Sequence, residues 1–377
     1  MRIKRRMNPE RVRWAATPFK GFIDSLDVIP GFSRGSNPGL KLANDFGVMT
    51  QLLVSSQTIR GDNVVETKVA AQPCDAADIH GSVFERFPAR ETSLGTLKIL
   101  RALPIRQKRL VGAWCFLDRF GPLSFSEAKP MDVAPHPHIG LQTVSWLLQG
   151  EIVHKDSLGS EALLGPGGVN VMTSGGGIAH SEETPPKNSG QLNGVQLWVA
   201  LPDTDRHGPA SFHHIDEVPI VEQSGGTVSV FAGSLLGGSS PAKHFSPLLG
   251  VDIAVHEAAT LELPLDPSFE HATLLLKGDA EIDGQPIDSM SLWYLGTSRS
   301  SIEFKSSGGC HVLLIGGLPF PEKILMWWNF VARTAEEIAR ARSDWQRHQR
   351  FGEVSAYNGP RLDAPPLERF AQPNPAS

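Results

Sequence analysis

The stretch "PHPHIGLQTVSWLLQGEIVHKD", Pro135 to Asp156, decides how the rest of the chain is read. Two imidazoles, His136 and His138, stand two residues apart just before a run of apolar, β-branched and aromatic residues. In an extended chain residues i and i+2 project to the same side, so both rings can aim into one cavity. Pro137 between them stiffens the segment. Gly150 separates two strand-like halves and predicts a hairpin at that point.

Working outward, "LGTLKILRALP" and "LVGAWCFLDRFGP" precede this stretch, and "GVNVMTS" and "GVQLWVALP" follow it, each a short apolar run bounded by Gly or Pro. With 37 Gly and 29 Pro spread along 377 residues, the pattern favours an all-β sandwich or barrel. A second set of strands runs through "TVSVFAGSLLG", "VDIAVHEAATLELPL", "ATLLLKGDAEIDG", "SLWYLG" and "CHVLLIGG". The halves echo each other, since "LLQG" ends at Gly150 and "LLKG" at Gly278, which suggests two copies of one small barrel. Between them "PDTDRHGPASFHHIDEVPIVEQSGG" reads as a connection, and His207, His213 and His214 within it are expected in solvent. Near the end "TAEEIARARSDWQRHQ" predicts a helix packed on a barrel. Thr334 and Glu337 form its capping box, and Ile338, Ala341 and Trp345 share one face.

The expected divisions are a basic, disordered leader over residues 1–85, barrels over 86–215 and 226–330, and a helix with its tail over 331–377. The leader is a charge run in its first 20 residues, with seven Lys and Arg against Glu10. A net charge of -5 argues against a nucleic-acid-binding body. Three cysteines, Cys74, Cys115 and Cys310, have no paired spacing, which points away from a disulfide framework and toward a reducing cytoplasm. No run reaches the roughly 18 apolar residues of a membrane-spanning helix.

A His-x-His pair alone is weak, because histidines near turns are common. The second pair strengthens it: "TSGGGIAHSEE" sets His180 and Glu182 at i and i+2, again on one side of an extended segment. Three imidazoles and a carboxylate suit a divalent first-row ion such as iron, manganese, nickel, copper or zinc. Four such ligands leave an octahedral ion two positions for water, oxygen or substrate. The glycine triplet fits no dinucleotide fingerprint, and no nucleophile elbow, Walker loop or His-Glu-x-x-His helix is present.

At "FLDRFGP", "PHPHIGLQTVSWLLQGEIVHKDSLG", "PGGVNVMTSGGGIAHSEE", "NGVQLWVALP", "MWWNFVAR" and "FGEV" the chain resembles the pirins, over about residues 95 to 360. The resemblance implies two cupin barrels (double-stranded β-helices) in tandem, with one Fe(2+) in the first. His136, His138, His180 and Glu182 match the iron ligands. Gln142 stands where many other cupins carry a ligand carboxylate, which agrees with the pirin variant. The implied activity is that of a quercetin 2,3-dioxygenase, opening a flavonol with O2 and releasing CO, with Glu182 as the catalytic base. The alternative it implies is a non-enzymatic, iron-dependent redox regulator that binds a transcription factor or a metabolic enzyme. A monomer is expected, with no direct nucleic-acid or membrane contact.

Offsets from Gly278 equal to those from Gly150 land on Pro264, Asp266, Gly308 and Cys310. His256, His271 and His311 are isolated, so the second barrel is expected to hold no metal. His154, past the glycine, reads as a rim residue, and Phe116, Phe120 and Phe125 as core residues that can line a cavity.

Overall fold

The computed structural model describes residues 81–94, 97–126, 130–367 and 375–376. The expected leader therefore lies outside the described residues, except for 81–85. Short strands cut by Gly and Pro fill most of the rest, as β-branched and aromatic runs between turn formers should.

The first twelve strands are β1 (Ser82–Pro88), β2 (Arg90–Leu94), β3 (Leu97–Leu103), β4 (Trp114–Ser124), β5 (Asp132–His138), β6 (Leu141–Gln149), β7 (Ile152–Asp156), β8 (Glu161–Leu164), β9 (Val169–Thr173), β10 (Ile178–Glu183), β11 (Gln191–Ala200) and β12 (Ser211–Ile215). A seven-stranded sheet in the order β12-β9-β6-β11-β4-β3-β2 faces a four-stranded sheet in the order β5-β10-β7-β8. Together they form the first barrel. β1 pairs instead with Ser291–Gly296 of the second barrel and ties the start of the described chain to it.

The expected hairpin at Gly150 is not formed. β6 pairs with β9 and β11, whereas β7 pairs with β8 and β10, so the chain changes sheets at this glycine. Gly150 has φ +89°, and a Cβ there would come within 2.2 Å of the Gln191 carbonyl oxygen. Gly278, the other end of the echo, has φ +81° and would meet the Gly309 carbonyl at 2.1 Å. Both positions need glycine for the same reason, which is a positive φ beside a close main chain.

β6 is buried on both faces because both are covered. Ser145 and Leu147 face the first barrel's interior, while Val144 and Trp146 enter a core shared with Phe231, Leu274 and Leu292 of the second barrel. Trp146 stacks on Phe231 with centroids 5.3 Å apart. In the second barrel, Leu248–Pro264 and Ser301–Gly317 pair along their length. The expected connection carries strands of its own: β12 adds to β9, and Ile220–Gln223 pairs with Gly226–Ala232.

The helix α1 (Ala335–Gln346) forms as its cap predicts, with Thr334 Oγ1 accepting from the Glu337 N–H. Its buried Ile338, Ala341 and Trp345 pack with Ile139 and Ala179, the chain neighbours of His138 and His180.

In the second barrel His271 is fully buried, and neither ring nitrogen has a partner among the described residues. Burial pushes its imidazole down to about 4. The folded state thus resists a proton that the unfolded chain accepts near 6.5. Stability from this group is full above pH 6.5 and is lost as pH falls toward 4, by at most about 3 kcal/mol. Urea unfolding at pH 7 and pH 4.5 should show a smaller acid loss in His271→Leu than in the parent; equal losses would assign the effect elsewhere.

Candidate metal centre

β5 and β10 bring the two histidine-bearing pairs together. Proline has no N–H for a neighbouring strand, so a strand alternating Pro135 and Pro137 with histidines is confined to an edge. β5 is the edge of the four-stranded sheet. Along its partner, Ile178 lies opposite His138 and His180 opposite His136, and then Glu182 lies opposite Val133. β5 has one residue more than β10 over that interval, a bulge of the kind that re-aims side chains beside a site. On the other flank of β10, β7 sets His154 opposite Glu182 and Asp156 opposite His180.

His136, His138 and His180 are buried, and one nitrogen from each lies within 4.8 Å of the others. His138 Nε2 and His180 Nε2 are 3.0 Å apart. Two imidazole nitrogens at about 2.1 Å from one ion and at a right angle are about 3.0 Å apart, so this edge has the span of a coordination edge. The outer nitrogens are tied back: His136 Nδ1 lies 2.9 Å from the Ala134 carbonyl and His138 Nδ1 3.1 Å from the Asn329 carbonyl. A carbonyl accepts only, so both Nδ1 atoms carry the proton and both Nε2 atoms present lone pairs inward.

Burial pushes the His136 imidazole down to about 4, and burial with neighbouring imidazoles drives His138 and His180 well below their ordinary range. All three are neutral at pH 7, the form that binds metals. Glu182 borders the same cavity but stands outside the triad, its Oε1 3.3 Å from Ser145 Oγ. Burial raises its carboxyl, opposed by His154 and Ser145. The donor set of three neutral imidazoles with a carboxylate nearby fits a divalent first-row ion.

The triad opens into a cleft lined largely by apolar and aromatic side chains. One wall is a stack: Arg101 lies 4.5 Å over Phe116, Phe116 lies 4.0 Å from Trp198 at 12°, and Trp198 meets His138 in a T-shaped contact at 5.2 Å. Arg101 also makes a two-pronged pair with Asp118, both contacts 2.7 Å. Phe120 lines the cleft, whereas Phe125 packs against the core around Leu97 and Leu147. Trp328, Asn329 and Leu362 reach the cleft from the C-terminal segment.

His154 is not a rim residue. It is 2% exposed, lies with its Nδ1 3.3 Å from His180 Nδ1, and stacks on Phe212 of β12 at 4.0 Å. The signal for it was present, since His154 and Asp156 repeat the i, i+2 spacing of the other two pairs. Gln142 lies on the far face of β6, bonded to Thr173, the Lys243 carbonyl and His244. Asn329 is 191 residues from the histidine it supports; it lies in the quoted "MWWNFVAR", but that motif gives no sign of the contact its carbonyl makes.

The family model described as Pirin matches residues 96–199, and that described as Pirin C-terminal cupin domain matches 250–352. A Pseudomonas aeruginosa protein named "putative quercetin 2,3-dioxygenase" is 44% identical over 78% of this chain and 93% of its own. A Caulobacter vibrioides protein named "Pirin-like protein" is 36% identical over 69% of this chain and 92% of its own. The crystal structure of quercetin 2,3-dioxygenase from Acinetobacter baumannii superposes with a TM-score of 0.75 at 43% identity, covering 78% of this chain and 98% of that one.

Proposed function

That this chain belongs to the pirin family is the premise from which we propose that His136, His138, His180 and Glu182 hold one Fe(2+) and that the cleft beside it takes a flavonol for 2,3-dioxygenation. The observation that carries this reading is the opening of a buried three-imidazole cluster into a cleft with a stacked aromatic wall. A planar polyphenol suits a cleft lined by Phe116, Phe120, Trp198 and Trp328 better than it suits a polar groove.

A divalent ion held by this set supplies Lewis acidity toward a phenolic oxygen, favouring its deprotonation. The protein's own part is positional. The stacked wall orients the substrate rings and excludes water. Glu182, raised by burial, accepts the 3-hydroxyl proton at Oε2 while Ser145 Oγ stays beside Oε1. The overall reaction consumes one O2 per flavonol and releases one CO, both new oxygens staying in the opened product.

The iron-loaded protein with quercetin is expected to take up oxygen and release CO in equal amounts. Glu182→Gln, which keeps the shape and loses the base, is expected to lower turnover at least about 100-fold with partial iron occupancy retained. Full turnover in that variant would remove Glu182 from the reaction. Iron bound without any turnover would move the reading to the redox-responsive regulator.

A further inference from the structure

Two of the three clustered histidines are held in their tautomer by main-chain carbonyls, and a substitution cannot remove those. His180 differs. Its Nδ1 faces a side chain, His154 Nδ1 at 3.3 Å, and His154 Nε2 in turn lies 3.1 Å from Asp156 Oδ2. Asp156 ends the chain: its other oxygen, Oδ1, accepts main-chain N–H groups from Leu158 at 2.9 Å and Ser160 at 3.0 Å. All three residues are buried, and Phe212 stacked on His154 at 2° fixes the plane of the middle ring.

We infer that Asp156 sets the tautomer of His180 through His154 and thereby makes His180 Nε2 a metal donor. The logic runs inward from the carboxylate, which accepts and does not donate. His154 Nε2 must then carry a proton, and in the neutral imidazole that leaves His154 Nδ1 as an acceptor. His180 must carry its proton on Nδ1, which leaves Nε2 with a lone pair aimed at His138 Nε2, 3.0 Å away. The reverse arrangement would place a proton on His180 Nε2 and block it as a ligand. His154 and Asp156 are therefore positioning residues that act through His180. A carboxylate behind a ligating imidazole also raises its basicity, so the same relay biases the ion it supports.

This inference rests on the metal reading above, and its test separates the two. Asp156→Asn is nearly isosteric but reverses the relay. The amide oxygen takes over the two main-chain N–H groups, and the amide NH2 then meets His154 Nε2. His154 turns to the Nδ1–H tautomer and His180 to Nε2–H. Two-bond 1H–15N correlation spectra of metal-free protein with 15N-histidine should show His180 as the Nδ1–H tautomer in the parent and as Nε2–H in Asp156→Asn. Titration with Ni(2+) should show affinity falling about 10- to 100-fold in that variant.

His154→Phe is the second probe, since it preserves the stack on Phe212 and deletes the acceptor, and a loss of similar order is expected. Unchanged His180 tautomer in Asp156→Asn, or Ni(2+) affinity within about threefold of the parent in both variants, would overturn the relay. Parent protein that shows the expected tautomers yet binds neither Ni(2+) nor Fe(2+) would instead overturn the metal reading and leave the relay standing.

Discussion

His138→Ala loses metal binding, with affinity for Fe(2+) or Ni(2+) lower by roughly 1,000-fold, more than the 10- to 100-fold expected from losing a supporting residue. His138 is constrained at both ring nitrogens and across its ring. Its Nδ1 is tied to the Asn329 carbonyl, its Nε2 lies 3.0 Å from His180 Nε2, and its ring stands in a T-shaped contact with Trp198. Because burial keeps all three imidazoles neutral at pH 7, an incoming ion displaces no proton from them, and losing one ring removes a full donor. A ligand at about 100 times its dissociation constant raises stability by about 2.7 kcal/mol. The parent should therefore melt higher with Ni(2+) than without it, while His138→Ala should melt at one temperature in both conditions. A variant with the parent's stoichiometry and affinity would remove His138 from the ligand set.

The parts legible in the sequence are those fixed by local alternation. The approach of His136, His138 and His180 needed only the two-residue period of an extended chain and the placing of both strands in one barrel, whereas Glu182 borders the cavity outside the three imidazoles. The α1 cap was equally local, although Glu337 uses its carboxylate to accept from the Arg333 N–H and to pair with Arg206. Gly150 misled because a glycine between two strand patterns marks a tight reversal in a hairpin and a sheet-to-sheet corner in a barrel with the same letters. His154 was misplaced as a consequence, since a hairpin strand beyond Gly150 would have carried it to the rim, whereas the corner carries it into the second sheet beside β10. Supports drawn from far away in the chain, the Asn329 carbonyl and the Phe212 ring, depend on tertiary pairing that no window of sequence contains.

The second barrel's contribution should be visible in Trp114, at the head of β4. The side chain is fully buried in the core shared by the two barrels, and its indole N–H is divided between the Leu249 and Gly316 carbonyls, at 3.1 and 3.0 Å. Those carbonyls sit on the two long paired strands of the second barrel, so one donor spans them. Trp114→Ala is expected to cost about 3–5 kcal/mol, from the lost burial and the cavity left behind. Trp114→Phe keeps most of the packing but leaves the carbonyls without their donor, for a cost of about 1–3 kcal/mol. Urea unfolding of the metal-free proteins measures both, and a loss below about 1 kcal/mol in Trp114→Ala would mean that the barrels do not depend on this contact. β4 also carries Phe116, Asp118 and Phe120 along the cleft, whereas the three histidines stand on the opposite sheet. The expected signature is therefore the inverse of that of His138→Ala: a large fall in stability with Ni(2+) affinity within about threefold of the parent, because the clamp holds the strand of the stacked aromatic wall rather than the histidine-bearing strands.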